Sequence, residues 1–186
     1  MTETPFHTKH DMKPTEDSKL SEIWAVAEVH GARSFDNYAQ IRSVAETIRD
    51  TFCAWLDGSD EPCVFLVPPE GPFRAENYQS GAFSVSGQGY LPLKPITFGL
   101  AVRISQDKDY MRLKFHCRKE GDMMKVSIGD KRPLALPLPI DETQLQPVFE
   151  RIHNHILHFF QDAIDEYDEG DYGTSAIGFD IFRVEE

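Results

Sequence analysis

Between residues 96 and 128 the chain alternates apolar and polar side chains almost without fault. Ile96, Phe98, Leu100, Val102 and Ile104 are interleaved with Thr97, Gly99, Ala101, Arg103 and Ser105. A polar run at 106–109 follows. Met111, Leu113, Phe115 and Cys117 are then interleaved with Tyr110, Arg112, Lys114, His116 and Arg118. After a second polar run at 119–122, Met124, Val126 and Ile128 alternate with Met123, Lys125 and Ser127. A period of two marks a strand with one face buried, and three such strands joined by short polar turns pair as an antiparallel meander. A chain built around this segment has an apolar sheet face to cover, and the remaining segments are read for what covers it.

Helical spacing supplies the cover. Leu20, Ile23, Trp24 and Ala27 fall on one helical face, and Gly31 suits the end of that helix. Ser34 or Asp36 suits the cap of a second helix, whose stripe is Tyr38, Ile41, Val44, Ala45, Ile48, Phe52, Trp55 and Leu56. Near the C-terminus, Asp141 resembles an N-cap, and Pro147 pushes the start of regular helix to about Gln146. The face of that helix is Val148, Phe149, Ile152, Ile156, Phe159, Phe160, Ala163, Ile164 and Tyr167, ending near Gly170. The apolar run 63–67 reads as a buried strand, 81–86 as a weak one and 177–184 as a last one, while 132–139 reads as a Pro-rich connector. The fold class expected is α+β: an antiparallel sheet (the meander at about 96–128 plus flanking strands) with two N-terminal helices and one long C-terminal helix packed on one face. One domain over 18–186 follows a disordered polar tail at 1–17.

Composition narrows the function classes. The net charge of −12 argues against general nucleic-acid binding and against docking on anionic membranes. No apolar run is long enough to span a bilayer, and the first 19 residues lack the apolar core of a signal peptide, so a cytoplasmic location is expected. Cys53, Cys63 and Cys117 form neither a CxxC pair nor an even set, which suits reduced, buried thiols. No GxSxG, Walker A or complete GxGxxG is present, Pro133 is followed at i+3 by Leu136 so that PxxP is not satisfied there, and no cofactor is expected.

Two constellations remain. By alternation Arg103, Arg112, Lys114, His116, Arg118 and Lys125 project from one face of the meander, opposite the apolar set. Residues 103–132 hold nine Lys/Arg against five Asp/Glu, whereas 162–186 hold nine Asp/Glu against one Arg. A basic face in an acidic chain suits an acidic protein partner or the acidic segment of a second copy, with field focusing assisting encounter. On the C-terminal helix, Arg151, His155, His158 and Asp162 share one flank. His155, His158 and Asp162 supply three ligand types for a divalent metal, although Arg151 beside them repels a cation.

The reading that follows is a non-enzymatic binding or protein-interaction domain using the basic sheet face, with a homo-oligomer or an acidic protein as partner. The alternatives are a small metal-dependent enzyme using His155, His158 and Asp162, and a carrier holding a small apolar ligand between sheet and helix, lined by Met111, Met123, Met124, Phe159 and Phe160.

Overall fold

The computed structural model describes residues 18–58, 61–129, 131–170 and 180–183; the expected tail at 1–17 lies outside them. The alternating segment forms β2 (Ile96–Arg103), β3 (Asp109–Glu120) and β4 (Met123–Ile128), joined as antiparallel hairpins. With β1 (Val64–Val67) before them and β5 (Leu134–Pro137) after, the sheet runs β1-β2-β3-β4-β5. A final strand, β6 (Asp180–Arg183), pairs with β3 at residues 109–112, beyond the reach of β4, which pairs with residues 115–120. The result is an α+β architecture with an antiparallel sheet.

Register fixes the two faces. Phe98 lies opposite Phe115, Leu100 opposite Leu113 and Val102 opposite Met111, so these six share one face. The Phe98 and Phe115 rings stack at 5.0 Å. Onto this face pack Ile41, Val44, Ala45, Ile48 and Phe52 of α1 (Lys19–Asp57), and Val148, Phe149 and Ile152 of α2 (Gln146–Glu169), all buried. The helices meet where Phe52, Trp55 and Phe149 form an aromatic triangle with centroid distances of 5.6–5.8 Å. Ahead of α2, Asp141 accepts from the Gln144 amide in a capping box that opens a 3-10 turn (Glu142–Leu145). Regular helix therefore starts at Gln146, where Pro147 falls in the first turn and costs no hydrogen bond.

Four expectations need correction. The two N-terminal helices are one helix of 39 residues. Gly31 lowers helix propensity by roughly 1 kcal/mol but removes no hydrogen bond. Ser34, a candidate cap, instead turns its hydroxyl back onto the His30 carbonyl at 2.9 Å, a satisfied position inside a helix. The segment 81–86 is not a strand. It holds the end of a 3-10 turn (Gln79–Ala82) and a single bridge from Phe83 to Phe98, which carries the line of β1 along the start of β2. The connector at 132–139 contains β5, an edge strand, where a Pro that cannot donate does no harm to the ladder. Cys53 and Cys63 are disulfide-bonded, tying the end of α1 to the residue before β1. A count of three cysteines does not reveal this, because the pair is brought together by the α1–β1 turn.

Cys117 is the free cysteine, fully buried on β3, and burial pushes its thiol up to about 12. Unreduced protein unfolded in denaturant should therefore titrate as one thiol, and reduced protein as three. Replacing Cys53 and Cys63 together by Ser should lower stability by about 2–3 kcal/mol in urea unfolding, the chain-entropy value for so short a loop. Three titratable thiols without reductant would contradict the bond.

Candidate functional site

The basic face of the meander is open in part only. After β1 the chain turns back over the outer side of the sheet, and Phe73 packs there with Val67, Ala101 and Tyr110 in a second small apolar cluster. The approach is close. A Cβ on Gly99 would lie 2.7 Å from the Val67 carbonyl oxygen and 2.8 Å from that of Pro68, so only glycine fits.

Arg112 is caught beneath this loop. Its side chain is 7% exposed, its guanidinium lies 4.9 Å from the Phe73 ring centroid, and Nη1 donates to the Pro68 carbonyl (3.3 Å) and the Gly71 carbonyl (2.5 Å). Neighbouring cations meet carboxylates of the same chain. Arg103 pairs with Glu61 at 3.0 Å, and Lys114 pairs with Glu70, which holds the Glu70 carboxyl below its usual range. Arg118 and Lys125 converge on Glu120 at 2.7 and 3.8 Å. His116 shares a hydrogen bond with the Thr97 hydroxyl at 3.0 Å across the β2–β3 pair. The six residues share a face as alternation requires. What alternation does not reveal is the loop that crosses this face at Arg112 and Lys114, because Glu61, Glu70 and Phe73 carry no periodic signal.

The histidine row is placed as helical spacing requires, but its surroundings differ from a metal centre. Arg151, Asn154, His155 and His158 line a surface groove on α2, and the opposite wall is Lys131 and Arg132 from the connection between β4 and β5. Arg151 donates to the Arg132 carbonyl, fastening that connection to the helix. His155 is half-buried and its pKa is lowered, first by burial, then by Lys131 and His158. Asp162 is exposed and does not line the groove. Among the described residues no group of three or more His, Cys, Asp or Glu side chains is placed to hold a metal ion. His153, on the other flank, packs edge-on against Trp55 at 6.1 Å.

A third feature escaped the sequence reading. Leu20 (48% exposed), Ile23 (63%) and Trp24 (52%), the apolar stripe that opens α1, stand in solvent with Val26 and Val29 beside them. On α2, Leu157, Phe160, Ile164 and Tyr167 are likewise exposed. Both helices are longer than the sheet they cover. The docked part of α1 is held at one end by Asp36–Lys119 (3.6 Å) and Asn37 to the Lys94 carbonyl (3.5 Å), and at the other by the disulfide at Cys53. At 1.5 Å per residue that stretch is about 25 Å, close to the roughly 26 Å of an eight-residue strand such as β2. Before the buried Ser34 the helix overhangs, with a last contact where His30 stacks on Tyr90 at 5.1 Å.

Compared with known proteins, the chain matches no family model, no curated protein and no solved structure. Nor does any helix among the described residues have the length and apolarity to cross a membrane.

Arg112 and Lys114 project from the same face but stand in different surroundings, and substitution should separate them. Arg112→Met removes a charged donor to two loop carbonyls and should cost about 2–3 kcal/mol in urea unfolding. Lys114→Gln removes an exposed pair and should leave the midpoint nearly unchanged. Equal effects would mean that the loop does not hold Arg112.

Proposed function

We propose that the chain is a non-enzymatic protein-interaction domain whose binding element is the overhanging first half of α1, and whose partner is the same segment of a second copy. The observation that carries this reading is a spacing that does not stop where the sheet stops. Ser34, Tyr38, Ile41, Ala45, Ile48, Phe52 and Trp55, in alternating steps of four and three, seat α1 on the domain. The same steps continue through Gly31, Ala27, Trp24 and Leu20, where the large side chains are exposed. Such a repeat is the seam along which two helices pack. Burying side chains the size of Leu20, Ile23 and Trp24 is worth about 1.5–3 kcal/mol each, set against the entropy of association.

Side-chain size favours a second copy. The stripe is large at its start (Leu20, Ile23, Trp24) and small further on (Ala27, Gly31). Antiparallel pairing of two such segments sets the large half of each against the small half of the other, as interdigitated packing requires. Lys19, Glu22, Glu28 and Arg33 leave the segment uncharged overall, so two copies of it meet without the repulsion expected of a chain carrying −12.

Other features fit a binding role better than catalysis. The free thiol is buried and protonated, and the cations of the meander are held by the chain's own carbonyls and carboxylates. Met111 and Met124, candidates for a ligand-cavity lining, are fully buried in the packed core.

Sedimentation over a range of concentrations should reveal a monomer–dimer equilibrium. Ile23→Asp with Trp24→Asp should abolish it without lowering the unfolding midpoint. Gly31→Leu should also weaken it: a Cβ at Gly31 meets nothing within 4 Å inside the monomer, so a loss of dimer reports the crossing of two helices. A monomer at every concentration, or a dimer indifferent to all three substitutions, would overturn the reading.

A further inference from the structure

The groove between α2 and the β4–β5 connection gathers cations, whereas those of the sheet are mostly paired. Arg151, Asn154, His155 and His158 recur at i, i+3, i+4 and i+7, one flank of a helix. Lys131 and Arg132 approach from the facing connection. Among the described residues no carboxylate lines this groove, and neither Lys131, Arg132 nor Arg151 enters an ion pair. The meander's own cations show the contrast, since Arg103, Lys114, Arg118, Lys119 and Lys125 each face a carboxylate of the same chain. In a protein with 31 acidic residues against 19 basic ones, a concave site with three permanent positive charges and two imidazoles is not an average piece of surface.

We propose that this groove binds a phosphate-type dianion, either free or esterified on a small molecule. Two guanidinium groups present planar forks that pair with oxyanion oxygens two at a time. Lys131 adds a compact charge, and Asn154 and the two imidazoles add directional donors. Donors approach from both walls, which suits a tetrahedral anion with several acceptor oxygens. The bond from Arg151 to the Arg132 carbonyl pre-organises the site, because it holds the connection against the helix before any anion arrives. The histidine row thus changes meaning. Read along α2 alone it is a partial metal site; with Lys131 and Arg132 opposite, cations are repelled and anions attracted.

The protonation state of His155 follows the same logic. Half-buried, and facing Lys131 and His158, it loses its proton more readily than a solvated histidine. Among the described residues that line the groove, the other charged groups are Arg132 and Arg151, also positive, while Asp162 stands exposed further along α2. An anion in the groove reverses this field and raises the His155 pKa. By linkage, anion affinity must then rise as pH falls through the histidine range.

Sulfate is the first probe, because its charge does not change across that range. Followed through the His155 and His158 ring resonances, sulfate should bind saturably at one site, raise the pKa of His155 and bind more tightly at lower pH. Lys131→Gln with Arg132→Gln should weaken binding at least tenfold. This variant spares the anchor, since Arg151 holds the Arg132 backbone and not its side chain. Arg118→Gln with Lys125→Gln, which removes the same two charges from the sheet, should leave affinity within twofold. Inorganic phosphate and glycerol phosphate, compared next, identify the source: tighter binding of the ester points to a phosphorylated small molecule, and equal binding to the free anion. Non-saturating shifts, or equal weakening by the groove variant and by the sheet variant, would show diffuse charge screening and overturn the proposal.

Discussion

The pairing of β2 with β3 is the contact on which the rest of the molecule rests. All eight residues of β2 are in register with β3, and β2 is flanked on its other side by β1 and the Phe83 bridge. A strand paired on both edges satisfies its backbone in a region where unpaired amides and carbonyls would be costly. It also commits each side chain to one face. Phe98, Leu100 and Val102 go to the helices, while Gly99 and Ala101 go to the side where the loop after β1 returns. Because Gly99 has no side chain, that loop can lie against the strand itself and carry Phe73 over Arg112.

A second constraint is length. A strand of eight residues offers about 26 Å of platform, and an α-helix covers that distance in roughly 17 residues. α1 has 39. Its continuous helix carries the apolar stripe past the end of the platform. α2 repeats this arrangement: Val148, Phe149 and Ile152 are buried near its start, while Ile164 and Tyr167 stand exposed near its end. The apolar surface of the domain is therefore concentrated on helix segments that outrun the sheet.

Charge is distributed by a different rule. The sheet's cations lie next to acids of the same chain: Glu61 and Glu70 from loops, and Glu120 from the end of β3. The connection between β4 and β5 delivers two cations toward a helix flank that already carries one and two histidines. The same chemistry of short loops placing charged residues gives neutral pairs in one place and a positive groove in another, and the sequence spacing of the residues involved does not distinguish them.

What the sequence determined by itself is the local periodicity and its consequences. The meander, the two helical stripes, the N-cap at Asp141 and the start of α2 at about Gln146 could all be read from residue spacing, because each depends on neighbours within about four positions. The six basic residues of the meander and the flank of Arg151, His155 and His158 were legible for the same reason. Tertiary structure decided the rest. Whether Gly31 interrupts a helix depends on packing on either side of it; whether Cys53 meets Cys63 depends on a turn; whether Leu20 and Trp24 are buried depends on where the sheet ends. Arg112 and Lys114 look equivalent in the alternation, yet one is buried under Phe73 and the other pairs with an exposed glutamate. Periodicity reports the side to which a residue points. What stands on that side is contributed by segments distant in the chain, and no local pattern encodes them.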